Sequence, residues 1–193
     1  MARTQAADYE QRRDAIVEKA ADLFAELGFR GASVNDLASA CNTSKSLIYH
    51  YYPSKEDVLY AVMLSHIDQL VDDVDVMLTE ESAPRAKLDR LLHRFMMHYV
   101  GAANRQKVLL NDLAHLPSDK RASIVAKQRR IVDAVQGLLT AVSPQLADDS
   151  VAARVHTMLL FGMINWTHTW FDPAGPASAD MVADAALRMV APD

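Results

Sequence analysis

The sequence predicts an all-α fold: three N-terminal helices, a long connecting helix and a larger helical C-terminal part. Three observations carry that prediction. Only 6 glycines and 7 prolines interrupt 193 residues, whereas Ala, Leu and Met, which lose little freedom in a helix, are plentiful. Apolar residues recur at steps of three and four rather than two. Ser-x-x-Asp or Pro signals stand where several of the periodic runs begin.

Each element follows from its own residues. Ile16, Ala20, Leu23, Phe24 and Leu27 mark the buried face of a first helix from about Tyr9 to Leu27, and Gly28 ends it. Ser33 and Asp36 form a variant capping box that opens a second helix, running to about Ala40. Asn42 tolerates the left-handed backbone of a tight turn. Thr43 or Ser44 caps a very short third helix, Lys45 to Tyr51, which Pro53 ends. Ser54 with Asp57 opens a fourth helix to about Thr79, carrying Leu59, Met63, Ile67, Leu70, Val74 and Leu78. The polar break at Glu80 to Ala83 is the expected boundary, dividing the chain into 1–53, a connector 54–79, and 80–193.

Beyond the break, Pro84 suits a first-turn position, followed by Leu88, Leu91, Leu92, Phe95, Met96 and Tyr99, with a bend at Gly101 to Asn104. A short helix is expected from Val108 to Leu116, and a longer one from Ser118 to Val142, stopped by Ser143-Pro144. A single helix is expected from Asp148 to about Phe171, apolar on nearly every side after Arg154. Asp172 to Ala177 is a loop, and Ser178 to Val190 is the last helix.

Composition excludes several classes of function. No run of about 18 apolar residues exists to span a bilayer, and the N-terminus has no apolar core of a secretory signal, so a cytoplasmic location without membrane partners is expected. The single cysteine, Cys41, forbids an intrachain disulfide and most thiolate metal sites. No two of the seven histidines stand three or four apart, so no zinc-type histidine pair is expected. Phosphate-loop, dinucleotide-fold and nucleophile-elbow motifs are missing. Neither an enzyme nor a cofactor is expected.

A nucleic-acid binder is usually basic, yet the net charge here is −5, and the first sixty residues hold seven Lys and Arg against nine Asp and Glu. Local placement answers the objection. Between Cys41 and Lys55 lie two lysines, counting Lys55, and no acid. The first three helices, with a tight turn between the second and third, follow the helix-turn-helix plan, whose last helix enters the major groove of DNA. Leu47 and Ile48 can face a core. Thr43, Lys45, Ser46, Tyr49 and His50 are then left to face outward, all side chains that reach phosphates or base edges.

Residues 9–60 resemble the DNA-binding domain of TetR/AcrR-family repressors. The matching stretches are Ala21 to Ser33 (ADLFAELGFRGAS), Asp36-Leu37-Ala38, and Ser44 to Glu56 (SKSLIYHYYPSKE). Cys41-Asn42 stands where the family usually has Ala-Gly, Ser46 where it has Gly or Pro, and Thr43 where it has an apolar residue. These departures change which bases are read without abolishing binding. The resemblance implies a double-stranded DNA operator as partner. It puts Ser33 and Thr43 or Ser44 on phosphates, Lys45 and Ser46 at base edges, Tyr49 on the backbone, His50 on the backbone or at a base, and Lys55 on a phosphate. Arg3, Arg12 and Arg13 form either an electrostatic arm or a frayed terminus.

The resemblance also implies a homodimer whose C-terminal domain takes a small-molecule effector. The 148–171 segment offers Val151, Val155, Met158, Leu159, Phe161, Met163, Ile164 and Trp166, and an all-round apolar helix needs partners on two sides. With Ser178 to Val190 from each chain, a four-helix interface is expected. Candidate pocket residues are Phe95, Met96, Met97, Tyr99, Leu110, Leu113, Met158, Phe161, Asn165 and Trp166. Leu160 to Pro173 and Asn111 to Pro117 resemble TetR-type regulators of fatty-acid, phenylacetate and steroid catabolism, which implies an acyl-CoA thioester. Its phosphates would need cations, and Lys127, Arg129 and Arg130, with Lys120 and Arg121, form the dense basic cluster of this half. The expected function is a repressor that holds a palindromic operator and is released by a hydrophobic effector acting through the fourth helix. The competing reading is a helical small-molecule-binding protein or enzyme without DNA binding, which predicts no salt-dependent DNA affinity.

Overall fold

The computed structural model describes residues 2–192, with side chains from residue 8. Among these the regular structure is helical: α1 (Ala2–Gly31), α2 (Val34–Ala40), α3 (Lys45–Tyr51), α4 (Lys55–Thr79), α5 (Pro84–Gly101), α6 (Ala103–Asn111), α7 (Ser118–Val142), α8 (Ser150–Asn165), α9 (Thr167–Trp170) and α10 (Ala179–Val190). Short 3₁₀ turns follow α6 (Leu113–His115) and α7 (Pro144–Leu146).

Caps explain most boundaries. Gly28 breaks α1 at φ 71°, ψ 158°, a conformation open to glycine, and one further turn follows it. Ser33 and Asp36 complete the capping box in both directions. Asn42 is left-handed at φ 51°. Of the two possible caps for α3 it is Ser44 whose hydroxyl accepts from the Leu47 N–H, at 3.2 Å. Ser54 accepts from the Asp57 N–H at the start of α4, and Ser178 from the Met181 N–H at the start of α10.

Three expected boundaries move. The first helix, expected from about Tyr9, begins at Ala2. The short helix expected from Val108 begins at Ala103 and ends at Asn111, because Ala102 alone breaks the chain after α5. The helix expected to reach Phe171 stops at Asn165. There Thr167 Oγ1, His168 Nδ1 and Thr169 Oγ1 donate to the carbonyls of Ile164, Asn165 and Trp166, three residues back. Three consecutive side chains that bond the carbonyls behind them compete with the backbone ladder and tighten the turn.

The chain separates into two compact units: Met1–His66 with Asn104–Ile124, and Ile67–Ala103 with Val125–Asp193. In the first, α2 packs on α1 and α3, over a core that includes Ile16, Ala20, Phe24, Leu37, Ile48, Leu59 and Met63. Long-range bonds bring 104–124 into this unit. Arg105 pairs with Glu18, Asn104 donates to Asp22 at 2.8 Å, and the Tyr60 and Ser123 hydroxyls meet at 3.1 Å. His66 Nε2–H donates to Gln106 Oε1 at 2.7 Å with both side chains buried. Compactness therefore follows these contacts rather than the polar break at residues 80–83. In the second unit α10 packs on α5 and α8, and Phe95, Met96, Ile131, Leu139, Leu160, Phe161, Ile164 and Leu187 are buried.

Candidate functional site

The turn after α2 and the exposed side of α3 form the candidate nucleic-acid surface. Ile48 is buried and Leu47 half-buried, so α3 is held by one face. Ser44, Lys45, Ser46, Tyr49 and His50 are exposed, and Thr43 is half-exposed. Lys45 Nζ lies 5.8 Å from the Tyr49 ring centroid, a cation–π approach that gathers two of these side chains. Tyr9 of α1 packs 4.8 Å from Tyr51 and 6.3 Å from His50, ring centre to ring centre. The sequence singled out no role for Tyr9, because this contact joins residues some forty positions apart. Cys41, at the end of α2, is half-buried, and burial pushes its thiol above the ordinary value although Lys19 acts the other way. That suits a packing residue rather than a nucleophile.

Two of the expected phosphate ligands have other partners. Lys55 Nζ donates to the Phe29 carbonyl at 2.6 Å and the Ala32 carbonyl at 2.8 Å, and lies 4.1 Å from the Phe29 ring centroid. Its ammonium therefore fastens α4 to the turn between α1 and α2, instead of standing free for a phosphate. The Ser33 hydroxyl and N–H both donate to the Asp36 carboxylate, at 2.7 and 2.9 Å, and those bonds hold that carboxyl below its usual range. Arg12 is 3.7 Å from Asp8, and Arg13 is 3.4 Å from Glu10 and over the Tyr52 ring. Each thus has a carboxylate partner on its own helix, and the Arg3 side chain lies outside the described residues.

The same turn between α1 and α2 is gripped from 104–124. The Phe29 N–H donates to the buried Asp112 carboxylate at 3.3 Å, and the His115 ring stacks on the Phe29 ring at 5.3 Å. Asn111 to Pro117, singled out for an effector, thus contributes two contacts that position the helix-turn-helix.

The expected effector residues divide into several groups. Phe95 and Met96 are fully buried, Tyr99 and Phe161 nearly so, and the Phe95 ring is 6.3 Å from both Tyr99 and Phe161. These four belong to the core of the second unit. Leu113 lies in the first unit, half-buried, and Asn165 is half-buried at the end of α8. Met158 and Trp166 are 53% and 63% exposed. With Leu159, Met163, Met181 and Met189 they line an open apolar groove of about 710 Å³ between α8 and α10. They belong to an outward face rather than to a chamber with Phe95. The basic cluster is also divided. Lys120 pairs with Asp57, Lys127 with Asp68 at 2.6 Å, and Arg130 with Asp75. Arg129 is exposed and has no ion pair among the described residues.

This helix-turn-helix and helical second unit match known proteins over nearly the full chain. Residues 16–62 match the tetR family of bacterial regulatory proteins, and residues 81–192 match the tetracyclin repressor-like C-terminal domain. The chain belongs to the TetR family of transcriptional regulators. It is 37% identical to a TetR-family transcriptional regulator from Bordetella parapertussis 12822, with a TM-score of 0.88 over 92% of this chain and 93% of that one. AibR, solved in complex with isovaleryl coenzyme A and operator DNA, is 27% identical, with a TM-score of 0.82 over 94% of this chain and 98% of that one. The HTH-type transcriptional repressor KstR2 of Mycolicibacterium smegmatis is 28% identical over 93% of this chain and 88% of its own. As in its TetR-family relatives, the fold is all-α. The resemblance read from residues 9–60 is borne out, and among the described residues no helix is long and apolar enough to cross a membrane.

Proposed function

We propose that this TetR-family protein is a repressor that binds a palindromic operator as a homodimer and is released by an acyl-CoA thioester. The carrying observation is the acid-free segment from the end of α2 to Tyr49 and His50, whose exposed side chains stand on a helix with one buried face. Ser44, Lys45 and Ser46, at the N-terminal end of α3, approach base edges and phosphates, and Tyr49 and His50 hold the backbone. Thr43 adds a hydroxyl at the edge of that surface.

The dimer reading rests on the outward face of α8 and α10, where Val151, Val155, Met158, Leu159, Trp166, Met181 and Met189 are each at least half exposed. A contiguous apolar face of this kind is a liability on a lone monomer and fits a four-helix interface with a second copy. The effector reading rests on the likeness to AibR and on Arg129, an exposed cation of its cluster with no ion pair among the described residues. An effector releases DNA only if it binds the DNA-incompetent arrangement more tightly. Helix α4 belongs to both units, with Lys55–His66 in one and Ile67–Thr79 in the other, and is the element through which that preference would reach the recognition helices.

The test is fluorescence anisotropy on DNA from upstream of the protein's own gene, at fixed salt, with and without isovaleryl-CoA and longer acyl-CoAs. Salt-dependent binding that one acyl-CoA reverses, and free CoA does not, is the expected result. DNA binding indifferent to every thioester would remove the effector, and no salt-dependent binding would remove the regulator reading.

A further inference from the structure

We infer that Tyr9 of α1 is a positioning residue for DNA binding, whose ring holds the His50 side chain ready for the phosphate backbone. This role rests on the proposed regulator reading, which puts His50 on that backbone. Tyr9 itself precedes the family match, which begins at residue 16.

The His50 ring meets two tyrosines edge to face. Its centroid is 6.3 Å from that of Tyr9 at an interplanar angle of 83°, and 5.3 Å from that of Tyr51 at 81°. The two tyrosine rings are 4.8 Å apart. Edge-to-face contacts at such separations suit the charge distribution of aromatic rings and fix their mutual orientation. Two members of this cluster belong to α3, and Tyr9 brings the third from another helix.

Arg13 stands one turn further along α1, on the same face as Tyr9. It lies 5.5 Å from the Tyr52 ring, whose hydroxyl donates to the Arg13 carbonyl at 3.4 Å. The two contacts do different things. Tyr52 is buried, so the pair with Arg13 fastens the end of α3 to the core. Tyr9 is 37% exposed and His50 is exposed. Their contact therefore adds little to the core and instead orders a side chain that faces solvent.

That order matters because α3 has seven residues, too few for a helix to hold itself. Ser44 caps its first turn and Ile48 anchors its middle, and His50 follows both. An exposed side chain that becomes fixed on binding loses rotamer freedom at that step. A ring that has already fixed it removes this loss, worth about three- to tenfold in affinity for one side chain. Contacts to the backbone carry no sequence information, so Tyr9 sets affinity for all DNA alike and leaves base preference to Lys45 and Ser46.

The test is fluorescence anisotropy at fixed salt with full-length protein, on DNA from upstream of its own gene and on a scrambled duplex. Y9F keeps the ring and should bind as wild type. Y9A should weaken binding to both duplexes by about three- to tenfold, with Tm and helicity unchanged. In an H50A background the same change should cost less than about twofold, because the ring has no imidazole left to hold. A merely structural role would weaken binding alike in both backgrounds. Y9L keeps apolar bulk without an aromatic edge, and carries the same expected loss should Y9A fold poorly. The role is refuted if Y9A and Y9L bind as wild type or if the loss is equal in both backgrounds. It is also refuted if Y9F loses as much as Y9A, which would put the hydroxyl itself on the DNA. A wild-type protein without salt-dependent DNA binding would remove the regulator reading and this role together, whereas wild-type binding that Y9A leaves intact would remove this role alone.

Discussion

Lys55 shows how a charge that suits DNA in the sequence can serve the fold instead. Its two bonds to the carbonyls of Phe29 and Ala32, beside the Phe29 ring, close the turn from α1 into α2. Hydrogen bonds from a charged donor are worth about 1.5–3 kcal/mol each where partly buried. K55M should therefore lower unfolding stability by about 2 kcal/mol in urea titrations. A phosphate-binding lysine would instead leave stability alone and reduce the salt slope of DNA binding by about one. A slope reduced by one with unchanged stability would return Lys55 to the phosphate. Lys45 and Tyr49 contrast with it, for both are exposed and neither holds the core. The K45A/Y49A variant should keep wild-type helicity and Tm while losing operator affinity by tenfold or more (about 1.4 kcal/mol). Normal operator affinity in that variant would refute the assignment of α3 as the recognition helix.

At the scale of elements, the start of α4 links a cap to an ion pair. Ser54 caps the helix on Asp57, and Lys120 of α7 pairs with the same carboxylate. Burial alone would raise the Asp57 pKa, but the bonds from Lys120 and Ser54 outweigh it and the net shift is downward. A depressed carboxylate contributes stability that is present above its unfolded pKa of about 3.9 and is lost as the pH falls through the lower folded value. Urea unfolding should therefore show a stability gap between wild type and K120M at pH 7 that closes under acid. An equal gap at both pH values would mean that Lys120 acts by packing alone. The two partners also show what the sequence could reveal. Ser54 to Asp57, Ser33 to Asp36, Asn42 and Pro84 act within one turn, so their spacing was readable and the helix boundaries there agree. Lys120 to Asp57 spans 63 positions and Arg130 to Asp75 spans 55; nothing local marks such pairs, and the cations looked available for a ligand. The end of α8 failed for a different reason. Its apolar run was legible, but bonding back by Thr167, His168 and Thr169 depends on their rotamers, which composition does not fix.

For the whole molecule the open question is what covers α8 and α10. Val151 is 71% exposed, Leu159 60% and Met189 74%, values at odds with an isolated helix pair in water. The proposed dimerisation through this face also bears on DNA. A single helix-turn-helix reads one half-site, and a dimer reads two that lie about 34–36 Å apart, one helical turn of DNA. Linking two heads makes the second contact intramolecular and raises affinity by about 10²–10⁴-fold with no new base contact. Changing Leu159 and Met189 together to glutamate places charge on the face without touching α3. Sedimentation should then report a monomer of about half the wild-type mass, with the circular dichroism of folded helices. Affinity for the palindrome should fall by about a hundredfold or more, towards that for a single half-site, which should itself be unchanged. The two readouts separate the explanations: a folded monomer that keeps full palindrome affinity would show that the operator is not read by paired heads, and a variant that stays dimeric would place the subunit interface elsewhere.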